Sequence, residues 1–204
     1  LGDVYKRQPF NRGKSYIVKQ TEKSTIIDSP VRYYCRYSLT VKKNKEESMT
    51  KVCFLVSSLC NEGPVNVMYN IIQYMDFSKF KVSIITFIPE KKTTRIKDFQ
   101  KYPLSIHQLA PETPLNPFAL FTALKQEVKL INPDMLHAHC PRSLYLMCFL
   151  PRKYKRIYTI HIYPGLQQQI LYGKFKGDIV NQLNHFFTRK VDLPIGCSES
   201  VGKL

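Results

Sequence analysis

The chain has 204 residues, with 31 Lys and Arg against 15 Asp and Glu, a formal net charge of +16, 44% apolar residues and 23% charged ones. That length suits one α/β domain better than two, the composition is that of a globular protein, and no run of 18 apolar residues offers a transmembrane helix. There is no basic and apolar leader of the kind that directs secretion, and the excess of positive charge calls for anionic partners: phosphates, acidic lipid headgroups or nucleic acid.

The opening "LGDVYKRQ" resembles sequencing-adapter read-through at the ends of unrelated translated fragments, so residues 1–8 are set aside. Residues 9–48 are basic and polar, without a sustained helical or strand period. They read as translated upstream DNA or a disordered leader, or else as a basic arm for an acidic surface. Residues 1–48 carry about +6 of the charge and residues 49–204 about +10. Met49 stands directly before a buried-strand pattern and is the expected natural start.

From there strands and helices alternate with short connections, the mark of βαβ units and a parallel sheet. "KVCFLVSS" (51–58) is a fully apolar strand. "NEGP" turns into a helix with Pro64 in its first turn, and Val67, Met68, Ile71, Ile72 and Met75 fall on one helical face. "KVSIITFI" (81–88) is the second strand, a short polar helix follows, and "LSIHQL" (104–109) is the third.

Asn116-Pro117 caps and opens a long helix whose apolar stripe is Phe118, Phe121, Leu124, Val128 and Ile131. "DMLHAH" (134–139) is the fourth strand, followed by a helix over 141–150. "RIYTIHI" (156–162) is the fifth strand. "YPGLQQQ" breaks away before a helix over 177–189, and "DLPIGCS" (192–198) is the sixth strand. The fold class is therefore α/β, a doubly wound, Rossmann-like parallel sheet of about six strands. "PRKYKR" (151–156) reads as a solvated loop or as an attraction to a membrane surface. The six cysteines form no CxxC pair and suit a reducing compartment.

Open parallel sheets bind ligands at the carboxyl ends of their strands. That rule gathers Gly63 after the first strand, His137, His139 and Arg142 around the end of the fourth, His161 after the fifth, and Ser198 and Glu199 after the sixth. Gly63 is either a turn glycine or a place where a ligand nears a helix N-terminus. A G-x-G-x-x-G is absent, which speaks against a dinucleotide oxidoreductase.

His137 and His139 alternate along a strand and share a face. They are structural histidines, ligand contacts, or two ligands of a metal that would need others. His161 would hydrogen-bond a sugar hydroxyl or move a proton. Arg142 suits a phosphate clamp. Ser198-Glu199 equally fits a helix cap. Cys140 fits a small filler better than an activated nucleophile.

Taken together, "KVCFLVSSL", "GPVNVMYNI", "INPDMLHAHCPRS", "YKRIYTIHIYP" and "DLPIGCSESVGKL" resemble, in order and spacing, the N-terminal domain of family 4 glycosyltransferases of the GT-B fold. The resemblance runs from about Lys51 to Leu204. Where members often carry Gly-Gly-Ala-Glu-Arg, this chain reads Glu62-Gly63-Pro64-Val65-Asn66, and Cys140 stands where a glycine usually follows the histidine.

The resemblance implies transfer of a sugar from a nucleotide-sugar to an acceptor with retention of configuration, no cofactor, no metal and no nucleic acid. His161 would be catalytic. Gly63, Ser198 and Glu199 would hold the donor, and His137, His139 and Arg142 the acceptor. The "GPVNV" form is similar to members associated with bacterial surface-polysaccharide assembly. The expected acceptor is a sugar or lipid-linked sugar, met in the cytoplasm at the inner membrane face. The expected extent is residues 49–204, ending before a C-terminal donor-binding domain, so the fragment alone would be inactive. A metal-dependent hydrolase using His137 and His139, and a non-catalytic phosphate-ligand module, are the competing readings.

Overall fold

A computed structural model describes residues 49–161 and 166–197. The leader, residues 162–165 after the fifth strand, and Ser198 and Glu199 lie outside the described residues.

In chain order the elements are β1 (Thr50–Val56), α1 (Gly63–Gln73), β2 (Phe80–Thr86), α2 (Ile96–Phe99), β3 (Leu104–Gln108), α3 (Pro117–Ile131), β4 (Met135–Ala138), α4 (Pro141–Phe149), β5 (Lys155–Ile160), α5 (Leu166–Tyr172), α6 (Lys174–Thr188) and β6 (Leu193–Gly196). The six strands form one sheet in the order β3-β2-β1-β4-β5-β6, and every pairing is parallel. The strand order reverses between β1 and β4, and sheets of this kind bind ligands at the carboxyl ends of the strands beside such a reversal.

Side-chain alternation divides the core in two. Cys53 and Leu55 of β1 join Leu136 and Ala138 of β4 against Leu124 and Val128 of α3 and Leu144 and Met147 of α4. Val52, Phe54 and Val56 join Met135 and Ile157 against Val65, Met68 and Ile72 of α1 and Phe99 of α2. Strands buried on both faces need near-continuous apolar sequence, which explains "VCFLV" and "VSIIT".

The long helix begins where Asn116-Pro117 predicts, with Asn116 Oδ1 accepting from Ala119 N–H at 2.9 Å. Its buried stripe is Leu120, Leu124 and Val128, and Phe118 is 82% exposed. Phe118 lies two residues before Leu120, about 200° around the helix, so the stripe expected from Phe118 belongs to Leu120. Phe121 and Ile131 pack at its margin.

The expected helix over 177–189 begins earlier, at Lys174, and is preceded by α5, which the sequence reading treated as a break. Gly173, with φ of 79°, makes the corner between the two helices. Gly177 is not a helix start but a point of close approach, because a Cβ there would lie 2.5 Å from Gln169 Cα. The run 151–156 is solvated only in part. Arg152, Lys153 and Lys155 are exposed, whereas Tyr154 and Arg156 are buried and Arg156 Nη2 donates to the Leu150 carbonyl at 2.5 Å. Cys53 and Cys60 are buried, and all five cysteines among the described residues are unpaired.

Candidate functional site

The register places three histidines side by side. His137 of β4 lies opposite Phe54 of β1 and Ile157 of β5. His139 continues the strand direction, its backbone N–H donating to the Leu55 carbonyl at 3.0 Å. Thr159 of β5 shares the face of Ile157, and His161 follows two residues on.

The side chains meet accordingly. His137 Nε2 is 2.8 Å from Thr159 Oγ1, and His139 Nδ1 is 3.2 Å from His161 Nε2. Ring centroids lie 4.3 Å apart for His137 and His139 and 5.4 Å for His139 and His161. Phe54 packs on both of the first two rings, at 5.1 and 5.7 Å. His137 and His139 therefore do share a face, and it is the face that α1 covers.

Burial sets their charge state. His139 is 0% exposed, His137 is buried and His161 is half-buried. Desolvation pushes His137 down to about 3, with the neighbouring His161 adding to the fall. Desolvation holds His139 well below its ordinary value, helped by His137 and His161. Burial pushes His161 down to about 4. All three rings are neutral at pH 7, so they act through hydrogen bonds rather than as cations.

Gly63 opens α1 on this same face and at this same edge. It has no positive φ, and a Cβ there would meet no atom of the described residues within 4 Å. The fold itself therefore does not demand glycine at this position. No side chain caps α1, and its first turn holds no acidic residue.

The loop before Gly63 is pinned by the segment after β2. Both Glu90 carboxylate oxygens accept from Leu59 N–H at 2.9 Å, Arg95 N–H donates to the Leu59 carbonyl at 2.7 Å, and Arg95 Nη1 donates to Asn66 Oδ1 at 2.5 Å. Sequence reasoning passed over Glu90 and Arg95, whose bonds to Leu59 and Asn66 span about 30 residues.

Arg142 is placed differently. It is exposed on α4, across the sheet from the histidines, and lines a cleft of about 740 Å³ with Phe87, Leu115, Leu120, Tyr145 and Leu146. The two parts meet at the switch point, where Ser57 Oγ after β1 is 3.2 Å from Cys140 Sγ after β4. Cys140 also closes the start of α4, with its N–H donating to Ser143 Oγ at 3.0 Å. Of the seven positions singled out from sequence, Gly63, His137, His139 and His161 share one face and one edge. Arg142 lies across the sheet, and Ser198 and Glu199 are outside the described residues. Among the described residues no three His, Cys, Asp or Glu side chains are arranged to hold a metal.

A doubly wound, Rossmann-like parallel sheet with three histidines clustered at the carboxyl ends of β4 and β5 is the class that fold and site define. The chain matches Glycosyltransferase Family 4 over residues 62–204 and belongs to that family. Comparison with curated proteins gives no match. Among solved structures, the chain is similar to Anabaena Alr3699/HepE in complex with UDP and glucose, at 14% identity and a TM-score of 0.52. The likeness covers 76% of this chain and 40% of that one. At that identity it bears on fold alone, and it agrees with the Rossmann-like half of a GT-B enzyme expected from sequence. No helix among the described residues is long and apolar enough to cross a membrane.

Proposed function

We propose that this chain is the acceptor-side lobe of a retaining glycosyltransferase, which moves a sugar from a nucleotide-sugar to a lipid-linked acceptor in surface-polysaccharide or glycolipid assembly. The observation that carries the reading is the convergence of Gly63 and the three histidines at one edge and face, beside the switch point, in a chain of this family. The uncapped start of α1 would receive the donor diphosphate. Backbone N–H groups and the helix dipole attract phosphate there, and a glycine without a side chain lets it come close. A nucleotide-sugar donor is what membership of this family supports.

His161 is the ring that would contact the donor sugar or the reacting hydroxyl. His139, fully buried, would act behind it, and His137 behind both. The apolar cleft beside Arg142 suits the lipid part of the acceptor, with the guanidinium at its phosphate. Ser198 and Glu199 would complete the donor side. A second lobe, facing this edge across a cleft, would hold most of the nucleotide-sugar, and the lobe described here would be inactive without it.

The proposed location is the cytoplasmic membrane face. Phe175, Ile179, Leu183 and Phe186 of α6 are exposed and fall within about a quarter turn of one another. Lys190 Nζ sits 4.0 Å over the Phe186 ring. An apolar stripe rimmed by cations fits the interface of an anionic bilayer. The chain should co-sediment with vesicles containing phosphatidylglycerol and not with pure phosphatidylcholine, and Phe175→Glu with Phe186→Glu should abolish the pelleting. Equal pelleting with both vesicle types would remove the membrane part of the proposal.

The main test is transfer by the whole protein from a panel of nucleotide-sugars to a lipid-diphosphate sugar, with the anomeric configuration of the product read by NMR. Retained configuration is the expected result. No transfer, together with stoichiometric zinc or manganese and a hydrolytic activity lost on His137→Ala, would replace this reading with the metal-dependent hydrolase.

A further inference from the structure

The His139–His161 contact contains more information than its distance. Each neutral imidazole has one N–H donor and one acceptor nitrogen, and the partner of one nitrogen fixes the state of the other. Between His139 Nδ1 and His161 Nε2, at 3.2 Å, one nitrogen must donate and the other accept. The contact alone does not say which.

The opposite nitrogen of His139 decides it. His139 Nε2 is buried and has no hydrogen-bond partner among the described residues. A buried N–H without an acceptor costs more than a buried lone pair without a donor, and orphaned N–H groups are the rarer of the two in folded proteins. Nε2 is therefore the lone-pair nitrogen, and the proton of His139 resides on Nδ1. His139 donates, and His161 Nε2 accepts. The proton of His161 is then on its own Nδ1, to which no described group forms a hydrogen bond.

We infer that His139 is a positioning residue that fixes His161 in the Nδ1–H tautomer, so that the edge of the sheet offers a ligand a hydrogen-bond donor at that ring and not a basic nitrogen. The ligand class this selects is an oxygen acceptor: a sugar hydroxyl oxygen, a glycosidic oxygen or a phosphate oxygen. The assignment rests on the proposed role of His161 and sharpens it. His161 would stabilise negative charge gathering on an oxygen, rather than remove a proton from one. Phe54 supports this order by packing on the His139 ring and holding it in place. The low proton affinity of both rings keeps the pair neutral at pH 7, where the tautomer question is meaningful.

The test needs no substrate. With the chain 15N-labelled at histidine, the five histidines give ring-nitrogen shifts that separate protonated from unprotonated nitrogens. At pH 7.5, His161 should show a protonated Nδ1 and a bare Nε2, and His139 the same pattern. That is the reverse of the Nε2–H form that free imidazole side chains favour. In His139→Leu the donor is removed, and His161 should move to the Nε2–H form while the exposed His185 stays unchanged. Should that variant fail to fold, the parent spectrum still decides. An Nε2–H His161 in the parent, or an unchanged His161 in His139→Leu, would overturn the inference. Because ligand-free protein is measured, this outcome is independent of whether the whole protein transfers sugar.

Discussion

At the edge where the strands begin, carboxylates splice neighbouring strands together. Asp134 Oδ2 accepts from Lys51 N–H at 2.9 Å, joining β4 to β1, and Asp192 Oδ2 accepts from Arg156 N–H at 2.8 Å, joining β6 to β5. The same two residues donate their own N–H groups to the Lys51 and Arg156 carbonyls. At the edge where the strands end, the histidine side chains meet one another and Thr159, and among the described residues capacity is left over: His139 Nε2 without a partner, α1 uncapped, Gly63 bare. One edge spends its hydrogen bonds on the sheet. The other leaves part of its hydrogen-bonding capacity unused among the described residues. The difference can be broken or sharpened by experiment.

The largest expected effect is an acid sensitivity lodged at the histidine edge. In the unfolded chain each ring titrates near 6.5. In the folded chain His137 resists protonation down to about 3 and His161 down to about 4, and His139 is also held far below its ordinary value. Between those limits the unfolded state binds more protons, so stability is full above pH 6.5 and falls as pH drops from there toward 4. The two buried rings, His137 and His139, each add a slope of up to about 1.4 kcal/mol per pH unit. Urea midpoints at pH 7.5, 6 and 5 measure it, and His139→Leu should flatten the profile. A profile flat to pH 5 in the parent would mean that the three rings are solvated.

Next in size is His161→Ala in the whole enzyme. If the ring donates to developing charge, kcat/KM per folded molecule should fall by about 100- to 1000-fold, as for the loss of one donor to such charge. At the opposite edge, Asp134→Ala should cost about 1–3 kcal/mol of stability, because it leaves a part-buried backbone N–H unsatisfied. Denaturant unfolding measures that loss, and transfer per folded molecule should be unchanged. A variant at either edge that moved both quantities alike would erase the division between them.

These two edges were unequally legible in the sequence. The histidine edge could be read because strand alternation alone puts His137 and His139 on one face, and parallel order puts His161 next to them. What could not be read was that His139 would be fully enclosed, since that depends on side chains far away in sequence, Phe54 among them. Apolar runs such as "VCFLV" announced their strands, and Asn116-Pro117 announced the start of α3. The stripe of that helix was misjudged at Phe118 because Leu120 offers an equally good period.

The pinning residues Asp134, Asp192 and Glu90 were invisible for a different reason. Their partners are backbone amides 83, 36 and 31 residues away, and an amide leaves no mark on composition. Gly177 was seen but misread. A glycine signals either a helix start or a close approach, and only α5, packed at 2.5 Å from its absent Cβ, distinguishes the two.

The smallest effect on stability separates the two meanings of a glycine most cleanly. At Gly63 an added methyl meets no atom of the described residues within 4 Å and no positive φ is required. Gly63→Ala should therefore leave the fold unharmed, or raise its stability by about 0.4–1 kcal/mol through a less flexible unfolded chain. If that bare backbone exists to admit a diphosphate, the same methyl should weaken binding of nucleoside diphosphates and nucleotide-sugars to the whole protein, read by titration calorimetry. Gly177→Ala should do the reverse, disrupting the α5–α6 contact while sparing nucleotide affinity in the molecules that fold. Unchanged nucleotide binding in Gly63→Ala would show that the start of α1 is only a turn, and the donor phosphates would then have to be sought elsewhere along the edge.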